Sequence, residues 1–166
     1  MSYANRGMMS ESIIEIACNQ YRERNLAIIN KVPTPIQVLS RQGNKITGFF
    51  KGKSTVDFEG TLKGGRSVAF DSKETRGKNL PFKNIHQHQI DYLQDVSKMN
   101  GIAFILVSFT KLDKYYRLNI KDLTGYIKEP WSSNKKSIPL EFFEIYATEV
   151  KSGSGLYLDF LKNLEV

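Results

Sequence analysis

The chain has 166 residues, is 40% hydrophobic and 11% aromatic, and carries a net charge of +7 at neutral pH. This length suits one domain with a substantial core, and the composition excludes a disordered chain. No apolar stretch can span a bilayer, and the first residues lack the apolar segment of a signal peptide. One cysteine, Cys18, excludes an internal disulfide and a cysteine-based zinc cluster. We therefore expect a cytoplasmic protein without membrane contact.

The N-terminal part of the chain predicts one helix followed by extended segments. Residues 10–25 carry apolar side chains at helical spacing, with Ser10 placed to cap the helix. Residues 26–30 form a short apolar strand, and two prolines at 33 and 35 then keep the chain extended.

An exposed basic hairpin is predicted at 41–53, with its turn at 42–44. It carries the adjacent aromatic residues Phe49 and Phe50. These rings either stack on unpaired bases or pack the hairpin onto the domain.

A second predicted hairpin contains three candidate catalytic residues. Its first strand includes Asp57, its second includes Asp71 and Lys73, and the Gly64-Gly65 pair suits the tight turn between them. Side chains alternate along a strand, so Asp71 and Lys73 share one face. The two strands are predicted at 53–58 and 67–74. Two carboxylates and one ammonium would then meet at one place.

This combination of side chains is typical of metal-dependent hydrolysis of phosphodiesters. Mg²⁺ prefers oxygen ligands, usually one or two carboxylates with waters and substrate phosphate. A nearby lysine can polarise the attacking water or offset charge on the phosphate. We therefore predict that Asp57, Asp71 and Lys73 form the catalytic core of a nuclease. The alternative is an ordinary ion pair on a surface strand.

Most of the excess positive charge surrounds this hairpin. Residues 41–83 contain ten basic and four acidic residues, whereas the rest of the chain has 14 basic and 13 acidic residues. Such a cluster attracts the phosphate backbone of nucleic acid, and a solvated basic face is the alternative. The residues that we expect to contact DNA are Lys31, Arg41, Lys45, Phe49, Phe50, Lys51, Lys53, Arg76 and Lys78.

The second half of the chain alternates helices and strands. A basic loop at 75–83 precedes a helix at 84–99, capped by Asn84. His86 and His88 are expected to be structural or to contact DNA. The remaining predicted elements are a buried strand at 101–109, a strand at 115–118, a helical turn at 121–126, a loop with Trp131 at 130–136, a flexible break at 152–155 and a C-terminal helix at 156–164. This order predicts an α/β fold with a mixed central sheet flanked by helices.

Taken together, these segments resemble the RecU family of Holliday junction resolvases from Gram-positive bacteria and their phages. The matching pieces are residues 5–8 with Glu11, 31–37, 54–58, 70–75, 88–90 and 101–102. The resemblance implies a restriction-endonuclease-like fold in a single nuclease domain over 1–166. It also implies that the basic hairpin, at about 40–53, is a short form of the family's protruding stalk.

The same resemblance implies the roles of individual residues. Thr55, Asp57, Asp71 and Gln89 would hold the metal, which is Mg²⁺ with Mn²⁺ as the alternative. Lys73 would stabilise the transition state, and Glu11 would be an accessory acid. The family usually has glutamate where this chain has Asp71, whose side chain is shorter.

The function implied by the resemblance is an endonuclease that resolves four-way junctions by paired symmetric nicks in recombination and repair. Two matched cuts suit a homodimer, whose surface would come from residues 26–39 or from the C-terminal helix. The implied partner is a recombinase or branch-migration protein. The protein would act in the bacterial cytoplasm, whether its gene is chromosomal or belongs to a phage. The alternatives are the same nuclease fold acting on other branched or single-stranded DNA, and a non-catalytic DNA-binding regulator of recombination.

Overall fold

The computed structural model describes residues 3–52, 54–128 and 135–164, and only the backbone of residues 3–10. The helices are α1 (Tyr3–Glu23), α2 (Gln87–Lys98), α3 (Ile120–Lys128) and α4 (Leu140–Tyr146), with a 3-10 helix at Phe82–Asn84. The strands are β1 (Ala27–Lys31), β2 (Ile36–Gln42), β3 (Lys45–Phe50), β4 (Phe58–Leu62), β5 (Ser67–Thr75), β6 (Asn79–Pro81), β7 (Ile102–Phe109), β8 (Lys114–Asn119), β9 (Ser137–Pro139) and β10 (Thr148–Val150). None of the helices among the described residues is long and apolar enough to cross a membrane.

Six strands form the central sheet in the order β1-β4-β5-β7-β8-β10. The β5 and β7 strands are parallel, and each of the other neighbouring pairs is antiparallel. All eight residues of β7 are buried, as expected for a central strand covered on both faces. The predicted α/β class, with a mixed sheet flanked by helices, is confirmed.

The sheet separates two hydrophobic cores, and β5 contributes to both. Phe70 faces the core under α1, where its ring stacks on Phe58 at 4.9 Å and on Phe104 at 4.8 Å. Ala69 faces the other core, which contains Leu93 of α2. Because side chains alternate along the strand, Asp71 and Lys73 lie on the same side as Ala69. This alternation places both residues beneath α2.

The first helix begins earlier than the sequence predicts. Ser10 lies inside α1, because helical residues continue from Tyr3, so its predicted capping role was wrong. At the other end, Asn25 adopts a φ of 55°, and the Leu26 N–H bonds to the Tyr21 carbonyl at 3.0 Å. A left-handed residue of this kind ends a helix, and asparagine tolerates that conformation.

The second helix begins later than predicted. Asn84 does not cap it, because this residue belongs to the 3-10 helix that is closed by the Ile85 N–H on the Phe82 carbonyl at 2.9 Å. Ile85 is extended, and His86 precedes the first turn of α2. The third helix is longer than the single turn predicted at 121–126, since it includes Ile120 and continues to Lys128.

The C-terminal segment is not a helix, contrary to the prediction for 156–164. Bends occupy residues 157–158 and turns occupy 160–163, and the side chains of Leu156, Leu158 and Phe160 are buried in the core beneath α1. The buried Arg117 fixes this segment by donating hydrogen bonds to the carbonyls of Phe160 and Lys162, both at 2.8 Å.

The basic hairpin is longer than predicted at its N-terminal side. It begins at Ile36, and its base is closed by the Lys51 N–H on the Pro35 carbonyl at 2.9 Å. The turn is at Gly43-Asn44 as expected, and Gly43 has a φ of 58°, which favours glycine. Every residue of β2 and β3 is exposed, and the two strands pair only with each other.

Besides the 3-10 helix, four short elements were not predicted, namely β6, β9, α4 and β10. The 75–83 segment is not all loop, because β5 continues to Thr75 and β6 then pairs with β9 in a separate two-stranded sheet. The α4 helix and β10 follow β9 and complete the sheet edge. The predicted Trp131 loop lies outside the described residues.

Candidate active site

Asp57 lies directly before β4, not within a strand. The predicted strand at 53–58 was wrong, because residues 54–57 form bends and the ladder with β5 begins at the Phe58–Phe70 pair. Beyond this pair, β5 therefore has no backbone partner from β4. The side chain of Asp57 takes the place of that partner. One Asp57 oxygen, Oδ2, accepts hydrogen bonds from the Ser72 N–H at 2.9 Å and the Ser72 hydroxyl at 2.8 Å. A strand N–H without a partner is thus satisfied by a carboxylate, and this carboxylate is fixed against β5.

Asp71, Lys73 and Gln89 form a closed polar cluster beneath α2. The Gln89 amide donates to Asp71 Oδ1 at 2.5 Å, and its oxygen accepts from Lys73 Nζ at 3.0 Å. Lys73 Nζ also forms an ion pair with Asp71 Oδ2 at 2.5 Å. The side chains of Asp71 and Lys73 are only 1% and 11% exposed. A buried pair of this kind is not a solvated ion pair on a surface strand.

The electrostatic state of Asp71 follows from its position. Burial raises the pKa of the Asp71 carboxyl to about 7, and the negative charge of Asp57 contributes to the same rise. The positive charge of Lys73 acts in the opposite direction but does not cancel it. Asp57 and Asp71 therefore compete for a compensating positive charge.

The cluster suits a hard divalent cation. Oδ2 of Asp71 is buried, and Lys73 Nζ is its charged partner. Asp57 and Asp71 supply carboxylate oxygens, and Gln89 supplies an amide oxygen, which are ligand types that Mg²⁺ accepts. Within the described part of the chain, no group of three or more His, Cys, Asp or Glu side chains forms a metal site.

Thr55 lies in a bend two residues before Asp57 and is exposed. Its neighbour on α2 is Tyr92, whose hydroxyl donates to Glu59 Oε2 at 2.9 Å. Partial burial and this contact with Glu59 raise the pKa of Tyr92, while the Thr55 side chain acts in the opposite direction. Thr55 thus lies beside the Tyr92 hydroxyl, and its role as a metal ligand stays a prediction.

Glu11 lies on α1 and pairs with Lys31 on β1. Lys31 Nζ also lies 3.5 Å from Glu15 Oε1, and its pKa is raised mainly by its hydrogen bond to Glu11. The charge of Lys31 is therefore shared between two carboxylates. The predicted roles of Glu11 as an accessory acid and of Lys31 as a DNA contact stay predictions.

The other residues expected to contact DNA are exposed. Phe49 and Phe50 are 54% and 73% exposed near the base of the hairpin, and neither packs it onto the domain core. Near the turn, Arg41 donates from Nε to the Gly43 carbonyl at 3.0 Å. The remaining exposed members are Lys45, Lys51, Arg76 and Lys78. Lys53 lies outside the described residues.

Ser72 is the residue that sequence reasoning missed. Its side chain alternates with Asp71, so a strand pattern places it on the opposite face. The signal that could have found it is the mismatch in length between the two strands of the hairpin. A short β4 leaves one N–H of β5 without a strand partner, and a residue just before β4 is positioned to accept from it.

The sequence also matches known proteins over almost its full length. The profile of the family described as Recombination protein U, RecU, matches residues 5–166. A Holliday junction resolvase RecU from Geobacillus sp. (strain WCH70) is 33% identical over 99% of this chain and 85% of the relative. The corresponding protein of Limosilactobacillus fermentum is 37% identical over 99% of this chain and 81% of the relative. The corresponding protein of Streptococcus pneumoniae serotype 19F is 35% identical over 96% of this chain and 83% of the relative.

Among solved structures, the chain is similar to Archaeoglobus fulgidus Hjc, a Holliday junction resolvase from an archaeal hyperthermophile. The two share 8% identity with a TM-score of 0.48, over 82% of this chain and 94% of that one. The match of the family profile and the coverage of the bacterial relatives decide the assignment. The chain belongs to the RecU family.

Proposed function

We propose that this protein is a divalent-metal-dependent endonuclease that resolves four-way DNA junctions by paired symmetric nicks. The observation that carries the proposal is the buried cluster of Asp71, Lys73 and Gln89 beside Asp57, in a chain whose relatives are named Holliday junction resolvases. The roles proposed for these residues follow from their contacts.

The proposed metal ligands are Asp57, Asp71 and Gln89, with Thr55 completing the set directly or through water. When bound, Mg²⁺ or Mn²⁺ would polarise the phosphate and lower the pKa of a bound water. Asp57 is already oriented for such a role by Ser72. The buried Asp71 Oδ2, which Lys73 contacts, would gain a second positively charged partner.

Lys73 is proposed to offset negative charge on the phosphate undergoing attack. Its ammonium is held by two groups, the Asp71 carboxylate and the Gln89 amide oxygen, so its position is fixed before substrate arrives. A charge that is fixed in advance needs little reorganisation during the reaction. Such preorganisation is the main source of electrostatic catalysis.

DNA is proposed to approach along the exposed hairpin and the basic residues next to β5. Phe49 and Phe50 offer aromatic faces for unpaired bases, and Arg41, Lys45 and Lys51 lie along the same ribbon. Arg76 and Lys78 follow the end of β5, close to Lys73. The junction preference would come from this combination of stacking and phosphate contact.

A homodimer is proposed because a two-fold junction needs two matched cuts. Exposed apolar side chains of the 26–39 region support this surface, among them Ile28 at 57% and Leu39 at 67% exposure. The C-terminal segment offers less, since Leu156, Leu158 and Phe160 are buried within the subunit. Contact with a recombinase or branch-migration protein, in the bacterial cytoplasm, completes the proposal.

The deciding experiment is cleavage of a mobile four-way junction, a matched duplex, a flap and a single strand, in Mg²⁺, in Mn²⁺ and in EDTA. Wild type is compared with Asp57→Ala and with Asp95→Ala, which removes an exposed carboxylate of α2. We expect symmetric nicks on the junction alone, lost in EDTA and in Asp57→Ala but retained in Asp95→Ala.

Two other outcomes would contradict the proposal. Equal cleavage of junction, duplex, flaps or single strands would keep the nuclease and reject the resolvase. Tight binding of the junction without cleavage in either metal would favour a non-catalytic regulator of recombination.

A further inference from the structure

Two basic segments far apart in sequence meet beside the end of β5. The Leu80–Ile138 pair of β6 and β9 is fully buried and anchors this small sheet in the core beneath the site. Two further backbone bonds extend the contact, from the Phe82 N–H to the Lys136 carbonyl at 2.9 Å and from the Leu140 N–H to the Lys78 carbonyl at 2.8 Å. The backbone of these two segments is therefore well fixed, with Leu80 and Ile138 pointing inward and the side chains of the flanking lysines exposed.

The outward side chains are basic. Lys83 follows β6, and Lys135 and Lys136 precede β9, and all three are exposed. They line one open cavity of about 690 Å³ together with Phe82. Neither residues 76–84 nor residues 135–139 contain an acidic residue, so no acid within these segments compensates the charge. We call Lys83, Lys135 and Lys136 the basic platform.

The segment that carries Lys83 is joined to the end of β5, the strand that contains the proposed catalytic lysine. Thr75, two residues after Lys73 on β5, donates from its hydroxyl to the Asn79 carbonyl at 2.7 Å and so joins the end of β5 to the start of β6. Two residues of a strand span roughly 7 Å. A duplex carries one negative charge per ~1.7 Å of its axis. A duplex arm that leaves the site at this end of the sheet would present several phosphates to the platform.

We propose that the basic platform binds backbone phosphates of the duplex arm that contains the cleaved strand. This inference rests on the proposed function and extends it, because it assigns a second contact surface distinct from the hairpin. The hairpin and the platform emerge at the same end of the sheet, since β1 leads to the hairpin next to Asp57 and β5 leads to the platform. One surface would contact the branch and the other the arm.

The test measures the salt dependence of DNA binding in EDTA, so that cleavage is not required. The platform variant is Lys83→Gln with Lys136→Gln. The matched control is Lys63→Gln with Lys121→Gln, which removes the same charge from exposed positions at the opposite end of the sheet. Binding of labelled four-way junction, duplex and single strand is followed by anisotropy between 50 and 200 mM salt.

We expect the plot of log K against log salt to become shallower by about 2 for the platform variant on junction and duplex, with the control unchanged. Wild type would then lose about tenfold more affinity than the variant across that range. An unchanged slope, an equal change in both variants, or a change confined to single strands would each overturn the proposal. If wild type binds but fails to cleave the junction, the proposed function fails while this comparison still decides the platform.

Discussion

Ser72 donates two hydrogen bonds to one carboxylate oxygen of Asp57, one from its backbone and one from its hydroxyl. The backbone bond depends on the fold alone, whereas the hydroxyl bond depends on the side chain. Ser72 is thus a positioning residue whose two contributions can be separated by substitution.

Removing the hydroxyl should weaken the positioning of Asp57 without unfolding the protein. A hydrogen bond to a charged group contributes about 1.5–3 kcal/mol. We expect Ser72→Ala to reduce single-turnover cleavage of a four-way junction about tenfold or more and to raise the Mg²⁺ concentration for half-maximal rate. Ser72→Thr, which keeps a hydroxyl, is the matched control and should recover most of the rate. Equal loss in both variants would mean that packing, not the hydroxyl, is important.

Lys73→Ala should have a larger effect on activity. Removing one preorganised group that stabilises transition-state charge commonly costs about 10²–10³ in rate. We expect that loss in junction cleavage at saturating Mg²⁺, with binding of the junction in EDTA nearly unchanged. Lys98→Ala, which changes an exposed lysine of α2, is the control and should leave the rate unaffected. A rate within tenfold of wild type would argue against Lys73 as a catalytic residue.

The raised pKa of Asp71 predicts how the metal-free protein responds to pH. The folded-state value of about 7 exceeds the ordinary value of 3.8, so the folded state binds an additional proton between these limits. The contribution of this group to stability is complete below about pH 4 and is lost as pH rises through 7. We expect the melting temperature in EDTA to fall over that window. Asp71→Asn should flatten this part of the profile, whereas Asp95→Asn, at an exposed site, should not.

Phe50→Ala tests whether the hairpin stacks on bases. Stacking of one base on an aromatic ring contributes about 1–3 kcal/mol, so affinity for a junction with unpaired bases should fall about tenfold. The melting temperature should remain unchanged, because Phe50 is exposed. Ile145→Ala, which truncates a similarly exposed apolar residue on α4, is the control. Normal affinity of Phe50→Ala for the junction would contradict base stacking. The exposure of Phe49 and Phe50 would then be better explained by contact with a second subunit.

Cys18 should be inert in the native protein. Burial raises the pKa of its thiol to about 12, so the reactive thiolate is scarce at neutral pH. We expect a disulfide reagent at pH 8 to modify Cys18 only at the rate of unfolding, and rapidly in denaturant. Fast stoichiometric modification of the folded protein would contradict the packing of α1 against the sheet.

The sequence predicted the parts of the site that depend on strand alternation. Asp71 and Lys73 share a face because the pleat requires it, and β5 is long enough to make the pattern clear. The buried strand β7 was equally clear, since its apolar run has no interruption. The apolar spacing of the helix placed Gln89 on the same face as Leu93, but its role as a metal ligand was assigned only through family resemblance.

The errors at the site and at the C-terminus have different physical causes. Asp57 and Ser72 meet because β4 is shorter than β5, and strand length depends on tertiary pairing that local propensity does not encode. At the C-terminus, apolar residues alternating at 156, 158 and 160 were assigned to a helix although their period is two. The buried Arg117 fixes that segment through the carbonyls of Phe160 and Lys162, a tertiary contact that local sequence does not reveal.

The isolation of the β2–β3 hairpin separates binding from global stability. Two strands without a packed face are only marginally stable in water. Its amides should therefore exchange with solvent through local opening, far faster than those of β7. Substitutions within the ribbon would change the free energy needed to order it on DNA while leaving the cooperative unfolding of the sheet intact. Affinity for the substrate can thus vary among related sequences at little cost to the catalytic core.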